Sequence, residues 1–170
     1  MGLRGLFIGM IVVLTGCNCP VCPETGKDKV VEPIEMEANK EVVRKLHEEV
    51  WSKGNVALIP ELYHPNLIYH LLSDSSLRNY SEIAEEVLSH RKAFPDWRED
   101  LTQLIAEGDM VVSRFRTHGT HLGRFWDIDS TGIVLEMQEV VVFKLREGKI
   151  AEQWSYPDLY GIRGKLVNCE

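Results

Sequence analysis

A nucleic-acid partner calls for concentrated positive charge, and this chain does not have it. Its 19 lysines and arginines are outnumbered by 26 aspartates and glutamates, for a net charge of −7. The basic residues are scattered rather than gathered into a stripe, which argues against binding a phosphate backbone. Long apolar runs are also missing, since the run from Leu6 to Leu14 is too short to cross a bilayer. Cysteine is scarce: of four residues, Cys17, Cys19 and Cys22 form "CNCPVC" and Cys169 lies at the far end. That distribution offers no four-ligand zinc spacing, and no βαβ pattern follows Cys19 and Cys22 as a thioredoxin-like redox pair requires. No metal or cofactor is expected, although a Cys19–Cys22 disulfide is compatible with an oxidising compartment. What is present is 170 residues, 44% hydrophobic and 26% charged, enough for one globular domain.

The N-terminal residues do not belong to that domain. In "MGLRGLFIGMIVVLTGC" a basic start at Arg4 precedes the Leu6–Leu14 run, which is the form of an export signal. Its end, "LTGC" at Leu14–Cys17, resembles the lipobox of bacterial lipoproteins. The resemblance implies cleavage before Cys17, diacylglycerol on its sulfur and an acyl group on the new amino terminus. A buried methylene contributes about 0.8 kcal/mol and one acyl chain holds only marginally, so two or three chains make a lasting anchor. An uncleaved anchor helix or an ordinary signal peptide is the plainer alternative, and either exports the domain as well. Residues 1–16 are thus read as a signal peptide and 17–34 as a lipid-anchored flexible linker with Pro, Gly, Lys and Glu content. Residues 35–170 form the domain, anchored at the cell envelope and facing away from the cytoplasm.

Within the domain, helical periodicity comes first. Val42, Val43, Leu46 and Val50 recur at three- and four-residue spacings from Glu35 onward, and Gly54 in "KGN" supplies a stop. A short helix is expected over Val56 to Leu62, then a turn at Pro65 into an extended segment reaching Leu72. A third helix is expected from Ser81 to Ala93, capped by Asn79 or Ser81 and ended by "FPDW". Strand-like runs follow at Arg98–Ala106, Met110–His118, Ile133–Leu145 and Lys149–Ser155, with "EGD" and "REGK" as hairpin turns. Helices followed by antiparallel strands define an α+β fold class. With Gly148 in the left-handed position of a three-residue loop, Leu145 pairs with Lys149, Val141 with Gln153 and Glu139 with Ser155. A two-residue loop shifts this register by one.

The order of elements, together with "YHPN" at Tyr63–Asn66, "FPDW" at Phe94–Trp97, "LIAEGDMVVSRFRTHGTHLGRF" at Leu104–Phe125 and "VFKLREGKIAEQWSYPDLYG" at Val142–Gly161, resembles the SnoaL-like polyketide cyclase family. That family lies in the nuclear-transport-factor-2-like superfamily, with ketosteroid isomerase and scytalone dehydratase. The resemblance covers most of the chain from Glu37. It implies a curved antiparallel sheet wrapped around N-terminal helices, a cone enclosing an apolar cavity for a small carbonyl-type or polyketide-like molecule. It also implies dimers or higher oligomers formed through the outer sheet face. In the family's cyclases an aspartate on the last strand acts as general acid/base in an aldol closure, near a histidine and a glutamine on the preceding strand. Matched through "REGKI", the aspartate falls on Ser155, the histidine on Val141 and the glutamine on Glu139. Serine has no useful pKa for proton transfer and valine has no proton to give, so the resemblance implies that this catalytic set is not retained. Asp158 matches a different family aspartate, in the "PD" after the strand.

Glu139 is the group in this region that can still carry a proton. The register puts it on the face of Ser155, Val141 and Phe143, which the resemblance implies is the cavity face, and desolvation there raises a carboxyl pKa. The opposing reading pairs it with Arg114, Arg116 or a lysine across the sheet, since unpaired buried glutamates are rare, or turns it to solvent if the register slips. Ser155 is weak as a nucleophile because no histidine in the hairpin can activate it. His118 and His121, three apart on a strand and its exit, point to opposite faces and argue against a metal site. The family resemblance of "GTH" implies that His121 sits at the cavity rim or fixes a loop. Trp51, Trp97, Trp126 and Trp154 read as core and cavity wall.

The candidate site is therefore Glu139 and Ser155 as catalytic groups, with Tyr69, Phe115, His121, Val141, Phe143 and Gln153 around the ligand. Two functions stand. One is a lipoprotein whose cavity binds an apolar small molecule without chemistry, favoured by the missing aspartate and histidine. The other is a cyclase, isomerase or dehydratase with Glu139 as acid/base and Ser155, Tyr69 and His121 as orienting groups.

Overall fold

The computed structural model describes residues 32–168. The signal and most of the linker, with Cys17, Cys19, Cys22 and Cys169, lie outside the described residues. Helix α1 (Pro33–Lys45) opens with a proline in its first turn and closes with Arg44 and Lys45, placements that suit the helix dipole. It runs on into a π-helical turn, Leu46–Trp51. The expected stop holds: Gly54 has φ +75° and its N–H reaches the Val50 carbonyl at 2.9 Å. A 3₁₀ turn (Val56–Leu58) and the one-turn helix α2 (Ile59–Leu62) replace the single short helix expected there.

Strand β1 (Tyr63–Leu71) turns into β2 (Asp74–Arg78), and α3 (Tyr80–Ala93) follows. Asn79 caps α3 in a reciprocal capping box, accepting from the Ser81 and Glu82 N–H groups while Glu82 accepts from Asn79 N at 2.8 Å. The meander β3 (Arg98–Glu107), β4 (Met110–Thr120), β5 (Val134–Arg146) and β6 (Lys149–Ser155) then leads to a C-terminal helix, α4 (Leu159–Asn168). The six strands form one sheet in the order β2-β1-β6-β5-β4-β3. No helix among the described residues is long and apolar enough to cross a membrane.

The sheet is mixed, a correction to the all-antiparallel expectation. β1 and β6 pair in parallel, with α3 and four strands, β2 to β5, between them in the chain. The β5–β6 register also differs from the expectation. The loop is the two-residue Glu147-Gly148 turn, both at positive φ, so Arg146 pairs with Lys149. A bulge at Ala151 then adds a second slip, giving Lys144 opposite Glu152, Phe143 opposite Gln153 and Val141 opposite Ser155. Two slips of one residue restore the parity of the side chains. Glu139 therefore remains on the face of Val141, Phe143 and Ser155, although its expected direct pairing with Ser155 does not occur.

The main core is formed where α1, the π-helical turn and α3 meet the inner sheet face, with Val43, Leu46, Val87, Val111, Phe143 and Ile150 all at most 1% exposed. A second cluster of Phe94, Trp97, Leu135, Ile162 and Leu166 ties α4 to the other end of the sheet. Residues of both clusters line one cavity.

Candidate functional site

The cavity has a volume of about 370 Å³. Tyr69, Phe115, Glu139, Val141, Phe143, Gln153 and Ser155 all line it. His121 does not. It is fully buried beyond the wall, its ring tilted against Phe94 at 5.2 Å, and its Nδ1 lies 3.0 Å from Thr131 Oγ1 and accepts from the Thr131 N–H. Of its two expected roles, fixing the loop is the one this geometry fits, and contact with a ligand is not. Gly123 belongs to the same loop base: a Cβ there would lie 2.3 Å from the Lys92 carbonyl oxygen, so only glycine allows this approach.

Glu139 on β5 stands opposite Phe115 of β4 and faces the cavity. Burial first, then the negative charge of Glu99, pushes its pKa up to about 7. The neighbouring Thr117 hydroxyl opposes the rise, yet it finds no hydrogen bond of normal geometry. The arginines considered as partners lie elsewhere: Arg114 donates to Gln138 on the outer face at 2.8 Å, and Arg116 stands opposite Gln138 there. Glu139 is thus a half-buried carboxyl with no cation beside it among the described residues, and it titrates near neutrality.

A second acidic group beside it was not anticipated. Glu99 of β3, 8% exposed, accepts from Trp97 Nε1 at 3.2 Å and lies 2.6 Å from His47 Nδ1. The far ring nitrogen, His47 Nε2, is 3.0 Å from Ser113 Oγ. With Nδ1–H donating to the carboxylate, Nε2 accepts from the serine hydroxyl, and every polar atom of the imidazole has a partner. The ring also packs on Phe115, centroids 4.4 Å apart. His47 and Glu99 line the cavity while Ser113 is fully buried beneath them. One sequence signal was available: His47 occupies the third place in the Val43, Leu46, His47, Val50 stripe, so it had to face the core.

The β1–β6 wall holds a different network. Tyr63, 1% exposed, donates to Gln153 Oε1 at 3.0 Å, and Gln153 Nε2 donates to Ser155 Oγ at 3.1 Å. Burial raises the Tyr63 pKa well above its ordinary value and raises that of Tyr69 as well, so both phenols stay protonated. Arg78 lies over the Tyr69 ring at 4.9 Å and donates to Glu86 at 2.9 Å. Glu86 is raised by burial, with Arg78 pulling the other way.

On α3, burial lowers His90 to about 4, so it is a neutral imidazole at pH 7, and its Nε2 has no hydrogen-bond partner. Trp97 meets its ring edge-on at 4.2 Å. Phe125 and Trp126, both lining the cavity, stack at 4.6 Å, and next to them in the chain Asp127 is held by Arg163 of α4 through two hydrogen bonds of 2.5 and 2.9 Å. Among the described residues no group of three or more His, Cys, Asp or Glu side chains is placed to hold a metal ion. What the cavity offers is apolar surface, one carboxyl poised near neutrality and several fixed hydrogen-bonding groups, the equipment for moving a proton on an apolar ligand.

Residues 41–166 match the profile of the SnoaL-like polyketide cyclase family, and the chain belongs to that family. Among solved structures it is similar to a candidate polyketide cyclase from Acidithiobacillus ferrooxidans, with 26% identity, TM-score 0.71, and coverage of 78% of this chain and 96% of that one. A candidate SnoaL-like polyketide cyclase from Jannaschia sp. CCS1 shares the fold at 22% identity and TM-score 0.72, covering 80% and 95% of the two chains. IdmH, a candidate polyketide cyclase from Streptomyces antibioticus, shares it at 24% identity and TM-score 0.65, covering 75% and 97%. No curated protein matches the sequence.

Proposed function

We propose that this protein is an exported, lipid-anchored member of the family whose cavity binds an apolar carbonyl compound and moves a proton on it, with Glu139 as the acid/base. The observation that carries the reading is the Glu139 carboxyl, aimed into the cavity with its pKa raised to about 7. General acid/base catalysis works best when the carrier titrates near the operating pH. The family's acid falls on Ser155 by the sequence match, and Glu139 lies diagonally across the hairpin from it, so the proton carrier has moved along the wall of the same cavity.

A second reading, binding without chemistry, is favoured by Ser155 and Val141, which leave two of the three family positions without a group that titrates near neutrality. Hydrogen exchange on a simple bicyclic ketone separates the two. The full chain in D₂O should speed deuterium uptake at the α-carbons of 2-tetralone, and Glu139→Gln should abolish the acceleration. Binding of 2-tetralone with no acceleration would leave the binding reading. The membrane anchor is supported by "LTGC" at Leu14–Cys17, and a homodimer through the sheet by exposed Ile105 and Val140 on the outer face.

A further inference from the structure

The hydrogen bonds on the β1–β6 wall run in one direction. Tyr63 gives its hydrogen to the carbonyl oxygen of Gln153, which leaves only the NH₂ of that amide to face Ser155. Ser155 Oγ is therefore an acceptor toward Gln153, and its own O–H must be directed elsewhere. Its strand partner Val141 offers nothing. What lies beyond it is the Tyr69 hydroxyl, whose burial-raised pKa a hydrogen bond from Ser155 opposes, and the open cavity, which both residues line. Gln153 and Ser155 are each 7% exposed, so solvent does not compete for this arrangement.

We propose that Ser155 and Tyr69 form a donor pair that holds the carbonyl oxygen of a ketone-type ligand, with Tyr63 and Gln153 as positioning residues that fix the sense of the Ser155 hydroxyl. The inference rests on the reading of Glu139 as proton carrier and says which way the ligand lies. Its oxygen meets the β1–β6 wall and its α-carbon meets Glu139. By strand geometry diagonal neighbours such as Glu139 and Ser155 are about 7–8 Å apart, room for a C–C=O unit between their side chains. In the forward step the Glu139 carboxylate takes the α-proton, the C–H electron pair becomes the C=C bond of an enolate, and the carbonyl π pair moves to oxygen, where the two hydroxyls stabilise it. Return of the proton from Glu139 reverses each change. The chemical class implied is an apolar ketone with an acidic α-hydrogen, small enough for about 370 Å³.

The test uses carbonyl-labelled 2-tetralone bound to the full chain, read by infrared difference spectroscopy, with tetralin as the oxygen-free control ligand. The bound C=O stretch should lie below its value in hexane, and 2-tetralone should bind more tightly than tetralin. Ser155→Ala and Tyr69→Phe should each return the stretch toward the hexane value and reduce the preference for the ketone by about three- to tenfold. Gln153→Leu should do the same through the Ser155 hydroxyl it orients, and Ser155→Thr should preserve the shift. Should Ser155→Ala fail to fold, Ser155→Cys, a near isostere and weaker donor, carries the same reading. A stretch unchanged in both Ser155→Ala and Tyr69→Phe overturns the proposal. Glu139→Gln should keep the shift while losing exchange, so a shift without exchange in the unsubstituted protein removes only the role of Glu139. Exchange with a shift independent of Ser155 removes only the donor pair, and 2-tetralone failing to bind overturns both.

Discussion

Glu139 and Ser155 lie diagonally across β5 and β6 on the cavity face, Ser155 directly opposite Val141 and Glu139 two residues further along the same strand. Their shared face survives a register different from the one that "REGK" suggests, because a two-residue turn and a bulge each slip the pairing by one. Alternation then returns every inward side chain to the inward face. The consequence is a wall with two chemically distinct ends, a hydroxyl whose hydrogen points toward Tyr69 and the cavity and a carboxyl that titrates near neutrality.

The rate of proton transfer is the first expectation to test. A positioned acid/base group contributes about a hundred- to ten-thousandfold, so Glu139→Gln should lower the accelerated exchange of 2-tetralone by that factor with little change in its affinity. The rate, after subtraction of hydroxide-catalysed exchange, should rise with pH and level off above about 7, as the carboxylate form accumulates. A profile that levels near an exposed carboxyl's value of about 4.3 would contradict the assignment.

The same carboxyl should shape stability. Its folded pKa of about 7 lies above the ordinary 4.5, so between these values the folded state binds more protons than the unfolded one. Stability therefore falls as pH rises through that window, by at most about 3 kcal/mol. Replacing Glu139 with Gln removes the burden of a buried charge, so the variant should melt higher than the parent at pH 8 and show no such gain at pH 4.5. Equal melting differences at the two pH values would show the carboxyl to be solvated.

His90 should act with the opposite sign. Burial holds it at about 4 against 6.5, so the unfolded state binds more protons between those values and stability is lost as pH falls through them. His90→Phe should flatten the acid limb of the stability curve while keeping the aromatic packing against Trp97. An acid limb unchanged in the variant would assign the loss to other groups.

How much of this could be read from residues alone depends on whether the signal was local. β3 to β6 announce themselves by alternation, and α3 by the capping residues Asn79 and Glu82. β2, "DSSLR", has almost no buried side chain and no alternation, so nothing in it marks an edge strand. Helix α4 carries Gly161 and Gly164 and is held by Ile162 and Leu166 packing on the second cluster, which is tertiary information. The parallel β1–β6 pairing is likewise nonlocal. At the site, Glu139 was legible because parity is robust to an even slip. The His47–Glu99 pair joins residues 52 apart on a π-helical turn and a strand, and no spacing reports that.

Attachment to the membrane can be tested independently of the cavity. If "LTGC" directs lipid to Cys17, the protein should fractionate with membranes, incorporate labelled fatty acid, and lose both properties on Cys17→Ala. An unchanged mobility and no incorporated label in the parent would rule the anchor out, and the domain's chemistry would be unaffected.

The His47–Glu99 pair yields the last expectation, because buried hydrogen-bonded ionisable groups are costly to break singly and not to replace together. His47→Leu leaves the Glu99 carboxyl with only the Trp97 indole and the Glu139 charge for company, and leaves the Ser113 hydroxyl without its acceptor. A loss of about 3–5 kcal/mol is expected on denaturant unfolding. Glu99→Leu should cost less, since the imidazole keeps its Ser113 partner at 3.0 Å while the carboxyl in His47→Leu loses its shortest hydrogen bond. In the double variant the two apolar side chains face each other beside Phe115, and part of the loss should return, with a coupling energy of about 1–3 kcal/mol. Additive single costs would mean that the two groups stabilise the fold separately. A coupled pair whose loss also moves the pH profile of ketone exchange would mean that Glu99 adds to the effect of burial in raising the Glu139 pKa.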